Sequence, residues 1–100
     1  VDVEVGGVAA DALGARRIGS IAWHLCQRHV AGAHLVADAD ILAAQQLLWR
    51  ELRLAVEPAA ALGLAALRAG LVRPRPDEPV ALVLCGANVD PAVLATPTTG

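Results

Sequence analysis

Five apolar residues in a row, Val80-Ala81-Leu82-Val83-Leu84, run without polar interruption into the small turn Cys85-Gly86-Ala87-Asn88. A strand with one wet face alternates apolar and polar positions. An unbroken run bounded by turn residues therefore predicts a strand covered on both faces, as in a parallel sheet. Just beyond it, Asp90-Pro91 predicts a new helix, with Asp90 as its cap and Pro91 at its first position. In open α/β sheets, ligands lie past the carboxyl ends of such strands, where loop backbone and small side chains allow close approach. Cys85 to Asn88 is thus the first candidate site.

The rest of the chain supplies layers for such a sheet. Val1 to Leu13 is punctuated by Gly6-Gly7, and Val1 to Val5 alternates as an edge strand does. A helix is expected from about Ala15 to Val30, with Ile18, Ile21, Ala22, Leu25 and His29 at helical spacing. His34-Leu35-Val36 reads as a short strand leading to Asp38, a candidate cap for a second helix. That helix is expected from about Ala39 to Val56, burying a stripe of Ile41, Leu42, Gln45, Leu48, Trp49, Leu52 and Val56. Pro58 disfavours helix at Glu57 and starts a third helix, Pro58 to about Ala69, whose terminator is Gly70. Nearly all Ala and Leu, it should be buried on every side. Arg73 to Pro79, rich in Pro and Arg, is a solvated connection into the apolar run. Strand, helix, helix, strand, helix in this order gives an α/β class with a three-layer parallel sheet.

Composition narrows the function classes. A formal charge of −2, with no basic stripe, gives no footprint for nucleic acid. No apolar run approaches the roughly 20 residues that span a bilayer, and Val1 to Val8 carries acidic residues where a targeting peptide would have an apolar core. Cys26 and Cys85 lack the spacing of a disulfide framework, which fits reduced thiols and a cytoplasmic setting. Cys26 and His29 share a helical face, but His24 lies off it and no further ligand follows at a zinc spacing, so no metal site is expected. One domain at most fits in a hundred residues. Because the chain starts at Val1 without methionine, the expectation is a piece of a longer protein.

Two segments together carry a resemblance. Leu48-Trp49-Arg50-Glu51-Leu52-Arg53-Leu54-Ala55-Val56-Glu57-Pro58, its Ala/Gly-rich continuation, and Val83-Leu84-Cys85-Gly86-Ala87-Asn88-Val89-Asp90 are similar to the carboxyl-terminal portion of threonine/serine dehydratases. The similarity reaches upstream to Ala10-Asp11-Ala12-Leu13-Gly14. These are pyridoxal 5'-phosphate enzymes of the tryptophan-synthase-β-like fold (fold type II), with serine racemase among their relatives. The resemblance implies that residues 1–100 are one segment, the carboxyl-terminal part of the large cofactor domain. It also implies an ammonia-lyase that removes the β-hydroxyl of L-threonine or L-serine and deaminates it to a 2-oxo acid. Such enzymes work as homo-oligomers.

The resemblance also assigns residues. Cys85 falls where the family has Ser, Thr or Cys facing the pyridine nitrogen, a neutral partner that tempers the ring as an electron sink. Gly86 would keep the turn open for the ring, and Asn88 would tie the turn together. Glu57 corresponds to a carboxylate near the ring, held as a helix cap beside Pro58. Ala12 falls where a small residue lies against one ring face. Ala59-Ala60 and Ala87 depart from the pattern, in which Gly or Ser, and Gly, are common.

No lysine occurs anywhere in the sequence, nor any glycine-rich run to cradle a phosphate. The Schiff-base lysine belongs to the amino-terminal part of the family's chain, so these residues alone are expected to be inactive and to supply no catalytic group. A racemase or another fold-type II enzyme is the near alternative. A freestanding, non-catalytic α/β binding domain is the distant one.

Overall fold

The computed structural model describes residues 6, 7, 9 and 16–94. Its helices are α1 (Ser20–His29), α2 (Asp38–Leu52), α3 (Leu62–Arg68) and α4 (Pro91–Leu94), with a 3-10 turn at Pro58–Ala61 leading directly into α3. Val1 to Val5, whose alternation suits an edge strand but is too short to decide one, lies outside the described residues.

α2 is the centre of the packing. Ile41, Ala44 and Leu48 on one of its faces bury against Val56, Ala60, Ala61 and Ala65. Alanines on the second element let the two backbones approach closely, and the partly buried Val36, Leu62 and Leu64 close the edges of the cluster. Gln45 sits among them, 1% exposed. Leu94 of α4 is buried too.

α2 ends four residues earlier than its apolar spacing predicts. Arg53 turns left-handed at φ 55° and ψ 35°, and its N–H donates back to the Leu48 and Trp49 carbonyls. Leu54 N–H also donates to Leu48 O, at 3.1 Å. This pairing closes a helix with a left-handed residue, usually glycine. The Arg53 guanidinium lies 5.8 Å from the Trp49 ring centroid, a cation–π contact that helps to hold arginine there. Val56 therefore joins the core from beyond the helix, and Leu52 is exposed. At the other end, the cap position belongs to Ala37, with Asp38 and Asp40 in the first turn, where carboxylates complement the helix dipole.

Pro58 opens the next element as expected. Gly70, at φ 76°, terminates it, with Gly70 N–H donating to Leu67 O at 3.2 Å and Leu71 N–H to Ala66 O at 3.1 Å. Its cover is one-sided: Ala60, Ala61 and Ala65 are buried, whereas Gly63 is exposed. Arg73 to Pro79 is solvated, apart from a half-buried Pro74. Asp90 caps α4 through its side chain, accepting from Ala92 N–H at 3.0 Å.

No strand occurs among the described residues. Val80 to Leu84 and His34 to Val36 form no ladder, and Val83 and Leu35 are 80% and 98% exposed. A doubly buried strand needs a hydrogen-bonded neighbour on its edges and a layer on each face. Here one layer is present: Leu82 reaches α3 where Gly63 lacks a side chain, its Cδ2 lying 3.2 Å from the site a Cβ would take.

α1 begins at Ser20, later than its sequence pattern suggests, and buries no residue. Among the described residues it packs against no other helix.

Candidate functional site

The two segments that carry the site expectation, 57–58 and 85–88, are far apart in sequence and meet in space. Glu57 precedes Pro58 with extended backbone at φ −70° and ψ 160°. Its carbonyl accepts from Ala60 N–H at 3.0 Å and so starts the 3-10 turn, while its own N–H donates to Gly86 O at 3.1 Å. Its side chain makes no capping hydrogen bond. The carboxyl group lies instead against Gly86, where any added Cβ would overlap it. Gly86 thus receives the Glu57 side chain where another residue's side chain would begin, and a larger residue there would have to move that carboxyl group aside.

This contact puts Glu57 on the residue that follows Cys85, at the end of the apolar run. Both thiols are free, with Cys85 exposed and Cys26 half-buried. Past Gly86 the backbone folds tightly, Val89 N–H donating to Ala87 O at 2.9 Å around Asn88. The Asn88 side chain is exposed, and no hydrogen bond joins its amide to another described residue. Ala12 lies outside the described residues. Four of the five expected site residues therefore fall in one short arc, with Glu57 and Gly86 in direct contact.

Sequence reasoning put Gln45 in the buried stripe of α2 but gave it no part in the site. Its Nε2 donates to Val56 O at 2.7 Å, holding the carbonyl immediately before Glu57. Its Oε1 is buried with no partner among the described residues. The signal was visible as the single polar residue in an otherwise hydrophobic stripe. Beside the site, Leu48, Leu52, Leu64, Leu82 and Leu84 line an open apolar groove of about 350 Å³.

A thiol at the end of the run, the glycine after it and a carboxylate folded onto that glycine thus lie in one arc. Among the described residues no group of three His, Cys, Asp or Glu converges. Residues 1–86 match the family described as pyridoxal-phosphate dependent enzyme, and the chain belongs to that family. It is 40% identical over 86 residues to a phenylserine dehydratase of Ralstonia pickettii, covering 86% of this chain and 26% of that protein. It is 33% identical over 72 residues to a beta-hydroxyaspartate dehydratase of Paracoccus denitrificans, covering 70% and 22%. A biosynthetic L-threonine dehydratase of Haemophilus influenzae is 33% identical over 85 residues, covering 84% and 17%. The chain thus spans about a quarter or less of the length of these curated relatives. No solved structure matches it.

Proposed function

We propose that these residues belong to a pyridoxal-phosphate-dependent dehydratase of β-hydroxy amino acids, in which they form the wall behind the cofactor's pyridine ring. The observation that carries this reading is the Glu57–Gly86 contact, which joins the two segments that the family resemblance assigns to the ring. The relatives support the substrate class: phenylserine, β-hydroxyaspartate and threonine all carry a hydroxyl on the β-carbon. Overall, the amino acid loses its α-proton and its β-hydroxyl as water. Hydrolysis of the resulting enamine, through its imine, then releases ammonia and a 2-oxo acid.

In this reading the bound cofactor supplies the electron sink for loss of the α-proton. Cys85 would face the ring nitrogen as a neutral partner. A carboxylate at that position would favour the protonated ring, whereas the Cys85 thiol would leave it a weaker electron sink. Gly86 would let Glu57 and the turn pack beside the ring, Asn88 lies on the turn's exposed side, and Ala12 is the residue that the family resemblance assigns to a ring face. Lysine is absent from the sequence, so the Schiff-base amine comes from residues outside these hundred. Those residues also supply the strands that complete a parallel sheet around Val80 to Leu84, making residues 1–100 one segment of a larger cofactor domain. The whole enzyme is cytoplasmic and homo-oligomeric. Among the described residues no helix is long and apolar enough to cross a membrane.

Cys85 in the full-length protein is the test. Cys85→Ser keeps a small neutral partner and should retain most elimination activity on threonine, serine and phenylserine. Cys85→Asp should shift the cofactor's absorption band and raise racemisation or transamination relative to elimination. Cys85→Ala should fall between them, losing one weak hydrogen bond. Identical spectra and product ratios in all three variants would return Cys85 to ordinary packing. A full-length protein that binds no pyridoxal phosphate would overturn the reading altogether.

A further inference from the structure

Gln45 is the polar exception in a hydrophobic cluster, and its geometry gives it a task. A buried amide with one atom unpaired is less favourable in a core than a methionine or leucine of similar volume. Its other atom makes a short hydrogen bond, 2.7 Å, to Val56 O, fixing the peptide that leads into Glu57. The next N–H along, that of Glu57, donates to Gly86 O at 3.1 Å, and the Glu57 side chain covers Gly86. A continuous chain of contacts therefore runs from the interior of α2 to the residue after Cys85.

We propose that Gln45 is a positioning residue for the Cys85–Gly86 turn, acting through Val56 and Glu57. α2 is the best-packed element of the molecule, and Gln45 sits between the buried Ala44 and Leu48. It is the rigid end of the relay. The turn at Cys85 is exposed and has no sheet partner among the described residues, so it is the end that needs holding. Without the Gln45 donor, Val56 O loses its partner, the Val56–Glu57 peptide can rotate, and both grips on Gly86 loosen together. This inference rests on the proposed function only for its effect on cofactor chemistry. The mechanical claim stands apart from it.

The experiment uses the full-length protein with Gln45→Met, which keeps the volume and removes the donor, and Gly86→Ala, which displaces Glu57 from the other end. In the cofactor-free protein, alkylation of Cys85 relative to Cys26 is followed by peptide mass spectrometry. In the cofactor-loaded protein, the absorption band and kcat are followed. Gln45→Met should change the Cys85 to Cys26 labelling ratio roughly threefold to tenfold, the scale of one lost hydrogen bond. It should also shift the band and lower kcat with little change in KM. Gly86→Ala should give the same changes, and the double variant should be no worse than either alone, because both act through Glu57. A Gln45→Met protein with a lowered melting temperature but unchanged labelling ratio and band would make Gln45 a core residue only and overturn the proposal. So would additive effects in the double variant. If no cofactor binds while the labelling changes as expected, the relay stands and the dehydratase reading falls. Should Gln45→Met fail to fold, Gln45→Leu, alone and with Gly86→Ala, removes the same donor and is read in the same way, and an unchanged labelling ratio or additive effects there would refute the relay.

Discussion

α1 and α2 both carry apolar residues at helical spacing, yet α2 buries its face and α1 buries nothing. The difference lies in what each has opposite it. α2 faces a partner supplied a few residues later by the same chain, the alanine-rich turn and helix after Pro58. α1 faces none within the described residues, and Ile21 stays 78% exposed. Val80 to Leu84 resembles α1 in this respect: it reads as covered on two sides and is touched on one. An apolar pattern states that a surface is to be covered, and the covering layer is a property of the rest of the protein.

The sharpest way to break this comparison is to delete equivalent volume on the two helices of the chain expressed by itself. Ile41→Ala removes a side chain that is 3% exposed, in the cluster that holds Ala60 and Ala61 of the 3-10 turn and Ala65 of α3. Leaving a cavity there should destabilise the chain by about 2–5 kcal/mol, enough to abolish cooperative unfolding in so small a domain. Chemical denaturation followed by circular dichroism measures it. A loss below about 1 kcal/mol would mean that the α2–α3 cluster is no better packed than α1.

The site divides along the same line between what the sequence discloses and what it withholds. Pro58 and Gly70 as the bounds of the third helical segment, and Asp90 with Pro91 as the start of the fourth, follow from local backbone chemistry, which needs no tertiary context. The end of α2 did not follow, because Arg53 occupies a left-handed position where glycine would have given the signal. The Ala37 cap was hidden because Asp38 has the better capping chemistry but falls one position inside. Glu57 and Gly86 could each be suspected from their segments. Their contact could not, since nothing local says that a carboxylate next to a proline will fold onto a glycine far along the chain. The sheet is the largest expectation that the described residues do not display. Pairing between strands is long-range by nature, and His34 to Val36, the other short candidate among the described residues, forms no ladder with Val80 to Leu84.

A smaller effect probes the half-covered run. Gly63 lies inside α3, where alanine is worth about 1 kcal/mol over glycine. Its Cβ would press on Leu82 Cδ2, the movable end of a side chain that is itself exposed. In the chain alone Leu82 can shift, so Gly63→Ala should raise stability by roughly 0.5 kcal/mol after that adjustment. In a full-length protein that clamps Val80 to Leu84 into a sheet, the same change should be neutral or destabilising. A gain of equal size in both would show that the run is no more constrained there than here.

The smallest expected effect is the one that most cleanly separates α1 from the core. Ile21→Ser exchanges an exposed apolar side chain for a small polar one. Serine is a slightly poorer helix former than alanine or leucine but close to isoleucine, so propensity hardly enters. With no neighbour to lose, the stability of the chain alone should move by less than about 0.5 kcal/mol. Binding of a hydrophobic dye should fall, because Ile21 is an exposed apolar side chain, with Leu25 exposed one turn further along the same helix. If the longer protein covers α1, Ile21→Ser there should cost more than about 1 kcal/mol, the scale of losing a buried aliphatic side chain. A cost of that size in the chain alone would place α1 inside a core after all, and the contrast between the two helices would collapse.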